Sequence, residues 1–372
     1  MQAAPTLNDR LIETNFRPAG FDYLRLILAT GVIFFHSMDL TAGYNVAHHD
    51  FGGILVPLDD AILPLFFALS GFLVAGSLER SATIISFLGL RVIRLMPALL
   101  LETCLSALAI GLYFTTLSAS TYLAQPEFFA YFLNIFGDIH YILPGVFTHN
   151  PNQYVNGQLW TIPWELQCYL AIAIISILRL TRSKTLFITL LATATAAIWA
   201  AHVFLGPDRL DHKMSGLSIP GIVLVESFLY GIALYLFREQ IPWNRRLFQL
   251  CLILMLGLST AAIGFWGIYA MAPAAAYVAA YTGLLSPRRT AIVATGDYSY
   301  GVYLYGFPVE QALIALKRQP WPITFIETLA ITFALAILSW HLIEKHAARL
   351  RPALFKAESV VLKKVSKTEL LF

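Results

Sequence analysis

Apolar blocks of about 18–24 residues, nearly free of charge and joined by short polar segments, recur along almost the whole of this 372-residue chain. A helix needs about that length to cross roughly 30 Å of hydrocarbon at about 1.5 Å per residue. The chain is 58% hydrophobic and 13% charged, against about 45–50% and about 25% in soluble domains. Spans of a β-barrel would be shorter and alternating, and that alternation is missing. The blocks predict an all-α, polytopic transmembrane helix bundle.

Ten spans are expected, at 21–42, 58–78, 95–118, 159–178, 185–205, 218–237, 247–267, 269–286, 298–316 and 322–343. The stretch 122–147 is apolar too, but Pro126, Glu127, Asn134, Asp138, His140 and Pro144 make it a poor span. With that stretch outside or re-entrant, most of the 25 Lys and Arg fall on one side, from Arg10 through Arg91, Arg94 and Arg245 to the tail. Arg209, Lys213, Lys317 and Arg318 fall on the other. The positive-inside rule then places both termini in the cytoplasm. The expected organisation is a cytoplasmic arm over 1–20, a membrane domain over 21–346 and a basic tail over 347–372, free in solution or lying on an anionic leaflet.

The polar first twenty residues predict no cleaved signal peptide. Cys104, Cys168 and Cys251 lie inside apolar blocks; an odd count without paired spacing argues against a disulfide framework or a metal site. A net charge of +3 gives no reason to expect nucleic acid. No internal repeat of the transporter kind is evident.

Ionisable residues within a membrane are costly, so they are functional candidates. The first span carries Asp22, Arg25 and His36. At about 100° per residue, Arg25 and His36 are about 20° from eclipsed and Asp22 and His36 about 40°, so all three share one face. Asp22 and Arg25 have the i, i+3 spacing of an ion pair, and about 16 Å of helix separates Arg25 from His36. The bland alternative for His36 is a hydrogen-bonded packing histidine.

The fourth span opens with Trp160, Trp164 and Glu165. Glu165 and His36 lie at a common depth, about 9 Å from the outer end of their spans, so Glu165 is a candidate for the carboxylate partner of a general base. Glu226 is a rival for that place, and a structural arginine is a rival use of Glu165. Arg91 and Arg94, one turn apart, suit bidentate binding of phosphate at the cytoplasmic side; interface anchoring is the alternative. His48, His49 and Asp50 cluster in the first outer loop without enough ligands for a metal. No role is assigned to His140, His149, His202 or His212. No Gly-x-Ser-x-Gly or Walker motif occurs.

In order along the chain, several runs resemble the acyltransferase 3 family of bacterial membrane acyltransferases. They are Phe21-Asp22-Tyr23-Leu24-Arg25 with Phe35-His36-Ser37, Phe66-Phe67-Ala68-Leu69-Ser70-Gly71, and Arg91-Val92-Ile93-Arg94. Leu143-Pro144-Gly145, Gln158-Leu159-Trp160, Ser299-Tyr300-Gly301-Val302-Tyr303 and Ile343-Glu344-Lys345 follow. The resemblance covers about residues 20–346. It implies a required histidine at His36, preceded by Arg25 with ten residues between, an acyl-donor site at Arg91 and Arg94, and a carboxylate at Glu165. Asp22, Ser70, Trp160 and Tyr303 are expected to support these groups. The chain departs from the family pattern in three places: Tyr305-Gly306-Phe307-Pro308 replaces a Trp-His-Pro, His346 follows Ile-Glu-Lys in place of proline, and Gln158 stands where serine is usual. The extra esterase-like domain of some members is not expected in these 372 residues.

The expectation is an O-acyltransferase of the inner membrane. Acyl-CoA, most simply acetyl-CoA, would be a co-substrate rather than a bound cofactor. A saccharide or glycolipid would supply the acceptor hydroxyl, with His36 as base. The rivals are a flippase for a lipid-linked saccharide and a sensor that binds acyl-CoA without turnover.

Overall fold

The computed structural model describes residues 5–205, 219–259 and 265–359. Among these residues eleven helices carry the architecture. They are α1 (Leu7–Glu13), α2 (Gly20–Ala42), α3 (Tyr44–Glu79), α4 (Ile84–Cys104), α5 (Thr161–Ile177), α6 (Lys184–Leu205), α7 (Gly221–Leu236), α8 (Arg245–Leu258), α9 (Ala272–Gly283), α10 (Ser299–Leu316) and α11 (Trp321–Ser339). Among the described residues there is no strand, only an isolated bridge between Thr6 and Pro242.

Among the described residues six stretches are long and apolar enough to cross a membrane: Gly20–Ala42, Leu55–Glu79, Ile84–Phe114, Gly157–Ile177, Lys184–Ala201 and Trp321–Ser359. The helices α7, α8, α9 and α10 occupy the other expected spans, but each is too short or insufficiently apolar to meet that standard. The chain is thus a multi-pass membrane protein whose buried centre includes helices that composition alone ranks lower. Many apolar side chains point outward, among them Ile177, Ile188, Ile326 and Leu338. That outward apolar face is what hydrocarbon, rather than water, tolerates.

Helix α3 is the central column. It packs along α7 and also touches α2 and α9, while α2, α10 and α11 pack against one another. The α3–α7 crossing is close because glycines face it. A Cβ on Gly71 would stand 2.1 Å from the Phe228 carbonyl oxygen, and one on Gly231 2.0 Å from that of Ala68. Small residues let helix backbones approach in this way where lipid removes the hydrophobic drive between helices.

Two local expectations change. Helix α4 begins at Ile84 rather than 95, because Thr83 and Ser86 form a reciprocal N-terminal capping box. The charges of Arg91 and Arg94 lower hydropathy but do not oppose helix formation, so both lie within α4. The backbone of His48, His49 and Asp50 is helical at the start of α3 rather than a loop; their side chains, the side chain of His202, and His212 lie outside the described residues. The N-terminal arm is docked, with Leu7 and Leu11 buried and Leu7 N–H donating to the Ile241 carbonyl at 3.0 Å.

The 122–147 stretch contains no helix of spanning length. Short helices Ala119–Leu123 and Pro126–Ala130 and a 3₁₀ segment Tyr131–Phe136 lead into turns at Gly137 and Gly145, where φ is +83° and +69°. Tyr122, Tyr131, Leu143 and Phe147 gather into a separate small core that covers this backbone.

Candidate active site

One face of α2 carries Asp22, Arg25 and His36, as its periodicity predicts. Arg25 pairs with Asp22 at 2.5 Å and with Asp297 at 3.4 Å. Asp297 also meets Arg94 at 3.4 Å, and Arg289 meets Asp22 at 3.2 Å. Asp297 lies in the joint before α10. Burial would raise its carboxyl, but Arg25 and Arg94 together with hydrogen bonds from Ser299 hold it down at about 2. Arg91 points elsewhere. It donates to Ser77 Oγ at 2.8 Å and lies over the rings of Phe87 and Tyr169. The Nε atoms of Arg25 and Arg91 are buried without a hydrogen-bond partner among the described residues.

These arginines open on a cavity of about 820 Å³, counting its mouth. Its charged groups are Arg25, Arg91, Arg94 and Glu165; Ser70 and Tyr303 line it with apolar side chains such as Phe66 and Phe228. Glu165 accepts a hydrogen bond from the Tyr169 hydroxyl. The cavity is therefore cationic at one end and greasy along its walls, which suits an amphipathic ligand with anionic and apolar parts.

A second cavity of about 590 Å³ surrounds His36, with Asp39, Asp59, Gln158, Trp160 and Tyr303 among its walls. The amide of Gln158 reaches His36 Nδ1 at 3.2 Å. The Phe307 ring meets the imidazole edge-on at 5.2 Å. Leu63 and Tyr303 line both cavities and so form the partition between them. The Tyr303 hydroxyl lies 2.7 Å from Thr161 Oγ1 and donates to the Gln158 carbonyl at 3.1 Å.

A buried polar layer supports Gln158. Asn156 Oδ1 accepts from the Gln158 backbone N–H at 3.2 Å, and Asn156 Nδ2 donates to Glu102 Oε1 at 2.8 Å and to the Leu304 carbonyl at 3.0 Å. Ser106 donates to the same Glu102 oxygen at 2.7 Å. Ser37, next to His36, donates to Glu310 on α10. Buried hydrogen bonds fix side-chain orientation, and those of Asn156 hold the loop that presents Gln158.

The structure brings His36, Trp160 and Tyr303 together, and separately Arg25, Arg91, Arg94, Ser70 and Glu165. Asp22 stands behind Arg25. It does not bring Glu165 to His36: the polar partner of the imidazole is Gln158, and Glu165 lines the arginine cavity. A common depth on two helices left azimuth open, and the azimuth of α5 turns Glu165 toward α4. The rival Glu226 faces α6, near Thr195 and Trp199, and lines neither cavity. Sequence reading missed Asp39, Asp59, Asp297 and Glu102. Asp39 had a signal, since i+3 from His36 places it on the same face; Asp297 and Glu102 are joined to the site only by tertiary packing. Among the described residues no group of three His, Cys, Asp or Glu side chains could hold a metal.

A family model described as an acyltransferase domain matches residues 19–343. The chain is 26% identical to an O-acetyl transferase of Shigella phage Sf6, over 87% of this chain and 94% of that one. It is 28% identical to nodulation protein 10 of Rhizobium leguminosarum bv. viciae, over 90% of this chain and 94% of that one. No solved structure matches it.

Proposed function

We infer the reaction from one premise: the chain belongs to the acyltransferase 3 family. It is a transferase that moves acyl groups, and its similarity to an O-acetyl transferase supports oxygen as the acceptor atom. The finer reading is transfer of acetyl from acetyl-CoA to a saccharide hydroxyl at the inner membrane. The observation that carries it is the pair of cavities meeting at Leu63 and Tyr303, one rich in arginine and the other holding His36.

In this reading the CoA phosphates sit at Arg91 and Arg94, at the cytoplasmic side of a ten-span bundle with both termini inside. The pantetheine arm runs past Arg25 and Ser70, along the roughly 16 Å of α2 that leads to His36. The acceptor enters the other cavity. Its hydroxyl gives a proton to His36, its oxygen bonds to the thioester carbonyl carbon, and the C–S bond breaks. The imidazolium then returns the proton to the CoA thiolate. Base chemistry at Nε2 requires the proton on Nδ1, so the Gln158 amide must turn its oxygen to Nδ1–H. An amide can present either end.

Purified protein in detergent, given acetyl-CoA and a mixture of cell-envelope glycans, should release thiol and leave acetyl on a glycan, as read by mass spectrometry. Arg91→Ala should raise KM for acetyl-CoA. A flippase would leave acetyl-CoA intact, and absence of transfer across donors and acceptors would remove the acyltransfer reading from this site.

A further inference from the structure

We propose that the His36 cavity is an acceptor subsite built for an uncharged sugar ring, and that it rejects sugars bearing carboxylate or phosphate. The proposal deepens the acyltransferase reading above and rests on it.

The walls carry the argument. Asp39 comes from α2 and Asp59 from α3, so two helices deliver carboxylates to the cavity that holds His36. Asp59 lies within the field of both Asp39 and Asp60. Among the described residues lining the cavity none is Lys or Arg. The three site arginines all open on the other cavity. The two chambers on either side of Tyr303 therefore differ in charge: one is cationic, the other acidic.

A second observation points to a ligand rather than to an acidic patch. Gln158 lines this cavity, is almost fully buried, and touches His36 with one end of its amide. The Oε1 end is buried with no hydrogen-bond partner among the described residues. Whichever end faces the imidazole, the other is left unpaired, and a buried polar group without a partner is costly. A ligand hydroxyl donates as well as accepts, so it can satisfy either end. Carboxylates accept pairs of hydroxyl donors strongly. Trp160 adds an apolar face beside a polar edge, which suits the C–H face of a ring whose rim is hydroxylated. Two carboxylates, an unpaired amide and an indole thus match adjacent hydroxyls on a neutral ring.

The charge that these two acids keep repels an anion brought beside them. A site built to bond a hydroxyl also loses heavily when that hydroxyl is replaced, because its own buried groups are left unpaired. Discrimination against an anionic sugar of the same size should be roughly 100-fold or more.

Saturation-transfer NMR on the full chain in detergent tests this without turnover, using methyl glucoside and methyl glucuronide as probes. The expected result is a signal from methyl glucoside, none from methyl glucuronide, and loss of the glucoside signal in Asp39→Asn/Asp59→Asn. Equal signals from both probes, no signal from either, or a glucoside signal unchanged in the double variant would overturn the assignment. Thiol release from acetyl-CoA by the wild type in the same sample reports separately on the acyltransferase reading. A chain that turns over acetyl-CoA but fails the NMR test refutes only the subsite.

Discussion

At the scale of single residues, the partner of His36 is an amide and not a carboxylate. Gln158 orients the imidazole but cannot support the imidazolium with a full charge, so its contribution is positional. Gln158→Leu is expected to lower kcat with little change in KM for acetyl-CoA, by less than the roughly 10⁴-fold seen when a triad's buried carboxylate is altered. Steady-state kinetics would contradict this if KM moved and kcat did not. Asp297 gives a second residue-scale expectation. Its carboxyl is held at about 2, below the ordinary value near 3.9 of an unfolded chain. A depressed carboxylate contributes stability that is fully present above about pH 4 and is lost as pH falls toward about 2. Asp297→Asn should therefore lose on the order of 2 kcal/mol of stability at pH 7 and melt at a lower temperature than the wild type. That gap should shrink between pH 4 and pH 2, and a gap independent of pH would refute the ion-pair account. The α2 face was legible in the sequence because a helix turns periodically and Asp22, Arg25 and His36 all sit on one segment. Asp297 was not, because its partners come from α2 and α4, far away in the chain.

At the scale of elements, hydropathy located the helices but not their ends or their partners. Helix α4 starts early through its cap, and α9 and α10 are buried helices whose small or polar residues keep them below the usual apolarity of a span. Hydropathy responds to what lipid touches, so a helix surrounded by protein is under less pressure to be greasy. The α3–α7 crossing is the sharpest case. Gly71 and Gly231 each face the other helix's backbone, and nothing in a single sequence pairs them. Gly231→Val must push α7 away from α3, with a cost of at least about 1–3 kcal/mol. A clear drop in the detergent melting temperature is expected, since Phe228 on α7 also lines the arginine cavity, and acetyl-CoA affinity should fall with it. An unchanged melting temperature would mean that the crossing is not close-packed.

At the scale of the molecule, charge is arranged along α2: arginines at one end, carboxylates around His36 at the other. The proposed orientation follows from loop arginines and lysines. It predicts that a cysteine placed at Arg245 is labelled by an impermeant thiol reagent only from the cytoplasmic side, and one placed at Arg318 only from the outside, in a background with Cys104, Cys168 and Cys251 replaced. Labelling of both from one side would invert half of the bundle. The family and overall class could be read from the chain because ordered motifs and spanning-length blocks are one-dimensional features. The two-chamber layout could not, since the partition at Leu63 and Tyr303 joins α3 to α10 only in three dimensions.

The central claim is that His36 performs the proton transfer in acyl transfer. Wild type and His36→Ala, purified in the same detergent and shown to melt alike, should be compared for acetyl transfer from acetyl-CoA to the acceptor that the wild type uses. Loss of a general base predicts a rate lower by about 10²–10⁴-fold in the variant, with acetyl-CoA still bound. Equal rates from two equally folded proteins would contradict the account and return His36 to a packing role.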